Sequence, residues 1–197
     1  MPVLYYVRHG ETDWNAEHRL QGHRDTALNA RGRSQAAECG ALLRHLLARD
    51  GRAAADCFYV SSPLVRARET MQLLRVTLGL DPDAYELDAR LIEISFGEWE
   101  GLTLKEIEER APQALAERER DKWGFHPPGG ESYADVTKRV GQWYASLDRD
   151  TVVAAHGGVA RALIAHFHLL PHEEAVHTEI AHGVVYVFAG GTMGRYS

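Results

Sequence analysis

Val3-Leu4-Tyr5-Tyr6-Val7 runs directly into Arg8-His9-Gly10-Glu11. The five apolar residues have the length and the β-branched and aromatic content of a buried strand. In an open α/β sheet, ligands sit just beyond the carboxyl ends of strands. This junction therefore delivers an arginine and a histidine to the place where such folds do chemistry. Imidazole is a nucleophile near neutral pH, and a guanidinium grips phosphate through two parallel hydrogen bonds. The pair points to phosphoryl transfer through a phosphohistidine.

Strand and helix patterns alternate downstream. A polar loop is expected from Arg8 to about Asn29, then a helix carrying Ala36, Cys39, Leu43, Leu46 and Leu47 at helical spacing. Cys57-Phe58-Tyr59-Val60 reads as a second strand, ending at Ser61-Ser62-Pro63, with a helix to about Leu78. Tyr85-Glu86-Leu87 reads as a short strand. Gly101 to Gly130 differs in character: charged helical stretches (Lys105 to Arg110, Ala114 to Arg120) precede Trp123-Gly124-Phe125-His126-Pro127-Pro128. It reads as a helical insert followed by a loop over the site. Ser132 with Asp135 is a capping pattern for a helix bearing Tyr133, Val136, Val140, Trp143, Tyr144 and Leu147. Thr151-Val152-Val153-Ala154-Ala155 is a buried-type strand ending at His156-Gly157-Gly158, with a helix to about Phe167. Val184 to Phe188 is expected as the last strand. Alternating elements with near-continuous apolar strands mean α/β with a largely parallel sheet.

Three strand ends each supply a residue suited to phosphate. Besides Arg8 and His9, Arg66 falls in the first turn of the helix after Ser61-Ser62-Pro63. A cation there opposes the helix dipole, and an anion held at that helix end would offset the cost. Arg68 competes with it, but reads as an ordinary salt-bridge partner. His156 again follows a strand, and the glycines after it let backbone N–H groups approach a ligand. A carboxylic acid is also wanted, to protonate a leaving alcohol and later to take a proton from water. Glu93, between Ile92 and Ile94, is poorly solvated and suits a raised pKa. Glu98 and Glu100 are its rivals, and pattern alone leaves all three open.

Composition narrows the partners. The 197 residues are 45% apolar and 25% charged, with net charge -6. A nucleic-acid surface or an anionic-membrane surface is not expected at that charge, so an anionic substrate must be held by local arginines. Cys39 and Cys57 read as small buried hydrophobes in a reducing compartment. The N-terminal apolar run is too short for a signal peptide, and no stretch approaches a membrane span; a cytoplasmic protein is the default expectation. Eleven histidines invite a metal reading. However, His172 and His177 are one residue too far apart for a His-Glu-x-x-His site, and no metal is expected. His166 and His168 read as surface residues, and the Glu/Arg alternation from Glu106 to Arg120 as a solvated face.

Taken together, these blocks resemble the histidine phosphatase superfamily, in its branch of phosphoglycerate mutase-like enzymes. The matching stretches are Arg8-His9-Gly10-Glu11-Thr12 with Trp14-Asn15, Gln21-Gly22, and Ser61-Ser62-Pro63 through Arg66-Ala67. They continue with Glu93, Phe96 to Gly101, Pro127 to Ser132, and His156-Gly157. The resemblance implies a three-layer α/β/α sandwich with a mixed, mostly parallel sheet, one domain over residues 1–197 and a helical cap at 101–130. It implies His9 as the phosphorylated nucleophile, with Arg8, Arg66 and His156 on the phosphoryl oxygens. Asn15 would reach the phosphate, Gln21, Gly22 and Gly157 would line the pocket, and Glu93 would carry the proton. Two arginines and a protonated histidine would take the place of Mg²⁺, and no cofactor is required.

The implied activity is hydrolysis of a small phosphate monoester. The rivals are a phosphoglycerate mutase and a non-catalytic phospholigand-binding module. Family mutases are expected to be longer, and the short run after Phe188 favours hydrolysis. A homodimer is left open as the one macromolecular partner. Trp14, His18, Arg19, His23, Trp123, Phe125 and His126 are candidates for the pocket wall.

Overall fold

The computed structural model describes residues 2–197. Its sheet has six strands in the order β3-β2-β4-β1-β5-β6: β1 (Leu4–Arg8), β2 (Phe58–Ser61), β3 (Glu86–Leu87), β4 (Thr151–Ala155), β5 (Val185–Ala189) and β6 (Thr192–Tyr196). The β1–β4, β2–β4 and β2–β3 pairs are parallel, while β5 runs antiparallel to both β1 and β6. The sheet is mixed and mostly parallel, as expected.

Alternation along the strands divides the core into two layers. Leu4, Tyr6, Val60, Val153, Ala155, Tyr186 and Phe188 face one side. There they meet α6 (Tyr133–Tyr144) and α7 (Gly157–His166) through Val136, Val140, Trp143, Val159 and Leu163. Tyr5, Val7, Tyr59, Val152, Ala154, Val185 and Val187 face the other. These pack on Cys39, Leu43, Leu46 and Leu47 of α2 (Ala30–Arg49) and on Met71 and Leu74 of α3 (Val65–Thr77). The result is a helix–sheet–helix sandwich.

Register decides where the polar residues emerge. Arg8 is level with Ala155, and Ser61 with Ala154. The ladder runs one step further, with His9 N–H donating to Ala155 O at 2.9 Å and Ser62 N–H to Ala154 O at 3.0 Å. His9, Ser62 and His156 therefore leave the sheet side by side. The loop after His9 packs backbone against backbone on the start of α2: a Cβ on Gly10 would lie 2.1 Å from Gly32 O. Only glycine fits there, and the fit fixes the entry to the site.

Four sequence expectations are corrected. The polar loop contains a short helix, α1 (Asp13–Ala16), closed by a Thr12/Asn15 capping box. Val185–Ala189 is not the last strand, because Gly190 and Gly191, with φ of 55° and 76°, turn the chain into β6. Two successive residues at positive φ suit a two-residue hairpin. Cys57 is only half-buried, although Cys39 is buried, and both are free. Arg68 is exposed and forms no ion pair among the described residues. The 101–130 stretch holds α4 (Leu104–Arg110) and α5 (Pro112–Arg120), and a further turn, α8 (His172–Ala175), follows α7. No described helix is long and apolar enough to cross a membrane.

Candidate active site

His9 is buried at the end of β1, and its Nδ1 lies 2.7 Å from Gly10 O. Burial, with Arg66, His156, Arg8 and His182 around it, pushes His9 well below the usual imidazole range. A neutral ring facing a carbonyl carries its proton on Nδ1, which leaves the lone pair on Nε2. The backbone around it is fixed on both sides. Gly10 N–H donates to Thr70 Oγ1 at 3.1 Å, and Thr70 Oγ1 donates to Arg66 O at 2.7 Å.

Arg8, Arg66 and His156 surround this ring. The His9 and His156 ring centroids are 5.2 Å apart. Arg66 is fully buried in the first turn of α3, with Nη1 donating to Arg24 O at 2.7 Å and Nη2 to Gly22 O at 2.8 Å. Arg8 Nη1 donates to Ile180 O at 2.6 Å. All of these partners are carbonyls: among the described residues neither guanidinium is in a direct ion pair, and Glu93 acts on both only at longer range. Burial lowers both, Arg8 to about 10. Among the described residues, four buried side-chain polar atoms lack a hydrogen-bond partner: Arg8 Nε, Arg66 Nε, His156 Nδ1 and Thr137 Oγ1. Native interiors satisfy nearly all such atoms. Three of the four belong to the residues around His9, where a phosphoryl group would satisfy them.

His156 departs from expectation in its charge. It is fully buried, its Nε2 lies 2.7 Å from Ser62 Oγ, and burial together with Arg66 and Arg8 pushes it well below the imidazole range. The ring is neutral in the free site, not protonated. It contributes as a dipole with one uncommitted nitrogen.

Of the three candidate acids, Glu93 is the one at this centre. Its Oε1 accepts from Gly158 N–H at 3.0 Å and from Ile94 N–H at 2.9 Å. Two backbone donors, one at the start of α7 and one from the adjacent Ile94, hold the carboxylate. A Cβ on Gly158 would lie 2.3 Å from Glu93 Oε1, so the second glycine of His156-Gly157-Gly158 makes the contact possible. Glu100 instead accepts from His23 N–H at 3.0 Å and Phe96 N–H at 3.2 Å, and Glu98 is exposed.

The other expected residues hold the frame. Asn15 Oδ1 accepts from Thr12 N–H and Thr12 Oγ1. Gln21 is buried, with Oε1 accepting from Thr12 Oγ1 at 3.0 Å and from Thr26 Oγ1. Gly22, at φ 51°, aims its carbonyl at Arg66. Gly157 sits between Arg8 and Arg161. Among the proposed wall residues, His23 meets the centre through Nε2, 2.9 Å from Glu93 O. Phe125 stacks on Trp99, Trp123 on His172, His126 pairs with Asp135, and Arg19 with Glu17 and Glu106.

Two contributors had no signal at a strand end. His182 Nδ1 donates to His9 O at 2.7 Å, and burial pushes this imidazole down to about 4. Arg139 brackets the Glu93 segment, donating to Arg90 O at 2.7 Å, to Glu93 O at 3.2 Å and to Glu131. No group of three or more His, Cys, Asp or Glu among the described residues is placed to hold a metal ion.

Comparison with known proteins agrees with this geometry. Residues 4–194 match the histidine phosphatase superfamily (branch 1). The chain is 38% identical over 182 residues to the glucosyl-3-phosphoglycerate phosphatase of Mycobacterium tuberculosis, covering 85% of this chain and 76% of that protein. It is 32% identical over 196 residues to a 2,3-bisphosphoglycerate-dependent phosphoglycerate mutase of Azorhizobium caulinodans, covering 96% and 92%. A solved structure of a mycobacterial glucosyl-3-phosphoglycerate phosphatase with VO3 matches at a TM-score of 0.81 and 31% identity, over 100% of this chain and 96% of that one. The family match spans nearly the whole chain and includes every strand end that meets at His9. The protein therefore belongs to branch 1 of the histidine phosphatase superfamily and is a phosphomonoesterase.

Proposed function

We propose that His9 Nε2 attacks the phosphorus of a small phosphate monoester while Arg8, Arg66 and His156 hold the equatorial oxygens. The P–O bond to the alcohol breaks, and Glu93 gives its proton to the leaving oxygen. Water then attacks the phosphohistidine, Glu93 takes a proton from it, and phosphate leaves. The observation that carries this reading is the trio of unpartnered atoms, Arg8 Nε, Arg66 Nε and His156 Nδ1, around the imidazole. Phosphoryl transfer depends on positioning and on stabilising charge at those oxygens. The two guanidiniums supply the charge, so metal independence is part of the proposal.

Residues 101–130 act as the cap of a single domain in this reading, and the substrate is a small phosphorylated metabolite. The named activity of the mycobacterial relatives makes a glycosylated phosphoglycerate the first ester to try. Two free cysteines fit a cytoplasmic setting. Length does not separate phosphatase from mutase, because the chain spans 92% of the Azorhizobium mutase.

One assay tests the proposal. Purified protein treated with EDTA is expected to release phosphate from p-nitrophenyl phosphate at the untreated rate, and His9→Ala to lose about 10³-fold or more in kcat. Near-normal turnover by His9→Ala, or activity restored only by Mg²⁺, would overturn it. Efficient interconversion of 2- and 3-phosphoglycerate with little phosphate release would replace it with a mutase.

A further inference from the structure

The site holds two neutral imidazoles, and the position of one proton on each decides what the ring does. On His9 the Gly10 carbonyl, 2.7 Å from Nδ1, settles the matter and leaves a lone pair on Nε2. On His156 the corresponding neighbour is a hydroxyl: Ser62 Oγ lies 2.7 Å from Nε2. A hydroxyl both donates and accepts, so this contact alone fits two tautomers. The proton on Ser62 Oγ chooses between them.

Ser62 and His156 are both fully buried. Ser62 N–H continues the ladder to Ala154 O, and Ser62 Oγ accepts from Leu64 N–H at 3.4 Å. Among the described residues no carbonyl or carboxylate accepts from this hydroxyl, and His156 Nε2 is the one acceptor in reach. His156 is itself fixed: it is the N-cap of α7, and its carbonyl accepts from Tyr6 Oη at 2.6 Å and from Ala160 N–H at 3.1 Å. With the ring proton on Nε2, the Ser62 hydroxyl proton and the Nδ1 lone pair would both be buried without a partner. With it on Nδ1, Ser62 O–H donates to Nε2 and only Nδ1–H is left open. Buried polar groups are nearly always satisfied, and each one that is not costs free energy, so the second arrangement prevails.

The open Nδ1–H then matches its surroundings. Arg8 Nε and Arg66 Nε are the other two unpartnered atoms at the centre, and both are N–H donors. Three donors and no acceptor suit the oxygens of an anion, whereas a lone pair on Nδ1 would repel them. We propose that Ser62 is a positioning residue that sets the tautomer of His156, so that a neutral ring presents Nδ1–H to an equatorial oxygen of the phosphoryl group. The assignment rests on the phosphatase reading and deepens it. His9 and His156 carry their proton on the same atom and use it oppositely. His9 ties its proton to the backbone and attacks with the lone pair; His156 ties its lone pair to Ser62 and offers the proton to the substrate.

A ¹⁵N NMR spectrum of the histidine-labelled protein near neutral pH tests the tautomer before any substrate is added. Spectra of His9→Ala and His156→Gln identify the two rings. In the wild type, His156 is expected to be protonated on Nδ1 and bare on Nε2. In Ser62→Ala its proton should redistribute toward Nε2, while the His9 signals stay in place and report that the site is still folded. Inorganic phosphate is the binding probe, and its Kd should rise about tenfold or more in Ser62→Ala. Ser62→Cys fills the same space with a weaker donor and should fall between the two, so it reads the effect if alanine disturbs the packing. A wild-type His156 protonated on Nε2 would overturn the proposal, and so would an unchanged tautomer or an unchanged phosphate affinity in Ser62→Ala. Any of these results in a protein that hydrolyses p-nitrophenyl phosphate leaves the phosphatase reading standing. A wild type with Nδ1–H on His156 that neither binds phosphate nor hydrolyses that ester would overturn the phosphatase reading, and the role of His156 at the phosphoryl group with it.

Discussion

The imidazole of His9 is defined by what holds its backbone as much as by its ring. His9 N–H is tied to Ala155, its own carbonyl receives His182 Nδ1–H at 2.7 Å, and the next N–H is tied to Thr70. His182 touches no reacting atom in this account, so it is a positioning residue. His182→Ala leaves the His9 carbonyl without its donor and frees the turn that orients the ring. A loss of about tenfold in kcat is expected, equivalent to about 1–2 kcal/mol for one buried hydrogen bond. His182→Asn, which still offers an N–H, should recover most of it. Kinetics in which alanine behaves as wild type would reduce His182 to packing. Arg8, His9 and His156 were legible in the sequence because each stands where an apolar run stops, and Arg66 because it falls in the first turn of the helix that follows another such run. His182 was not, because it lies in the loop before β5 and reaches His9 by the path of the chain rather than by any local pattern. Glu93 was legible only through family resemblance, since three carboxylates share its neighbourhood in sequence.

At the scale of elements, α7 does two jobs with one glycine pair. His156 is its N-cap, and its first turn presents the Gly158 N–H to Glu93. Propensity alone favours alanine over glycine in a helix by about 1 kcal/mol. The Glu93 carboxylate occupies the space a methyl group would need, so Gly158→Ala should displace the acid instead of strengthening the helix. The displacement should appear in leaving-group dependence. Turnover of glycerol 3-phosphate, whose alkoxide needs a proton, should fall about 10²-fold, and p-nitrophenyl phosphate should fall much less. An equal fall for both esters would detach Glu93 from the leaving group. Most elements were legible because they are long and periodic, as in α2, α3, α6 and the buried β1 and β4. α1 and β6 were missed for different reasons. α1 is one turn closed by Asn15 where a longer acid or amide is usual. β6 contains Gly194 and Arg195 at a sheet edge and so lacks an apolar run. Its signal was the Gly190-Gly191 pair between two extended segments, which a hairpin reading would have caught.

Across the whole molecule, three buried neutral histidines couple folding to pH. His9, His156 and His182 are all pushed below the ordinary imidazole value. Their contribution is intact above the unfolded pKa of about 6.5 and is lost as pH falls toward the folded values, because only the unfolded chain accepts the protons. The window runs from about pH 6.5 down to about pH 4, the value for His182. Each histidine can remove at most about 1.4 kcal/mol per pH unit within it. Urea midpoints should therefore drop between about pH 7 and pH 5, and less steeply in His182→Asn. A midpoint that rises on acidification would show that these rings are not held neutral.

The strand order also sets a timetable. The nucleophile sits on β1, and the neighbours of β1 are β4 and β5, residues 151–155 and 185–189. During synthesis the histidine emerges well before the strands that seat it, the Arg8-binding carbonyl of Ile180 and the ring of His182. Pairings this remote in sequence slow folding. They also mean that a nascent chain carries His9 without the groups that make it reactive, so catalytic competence arrives only after β5 has left the ribosome.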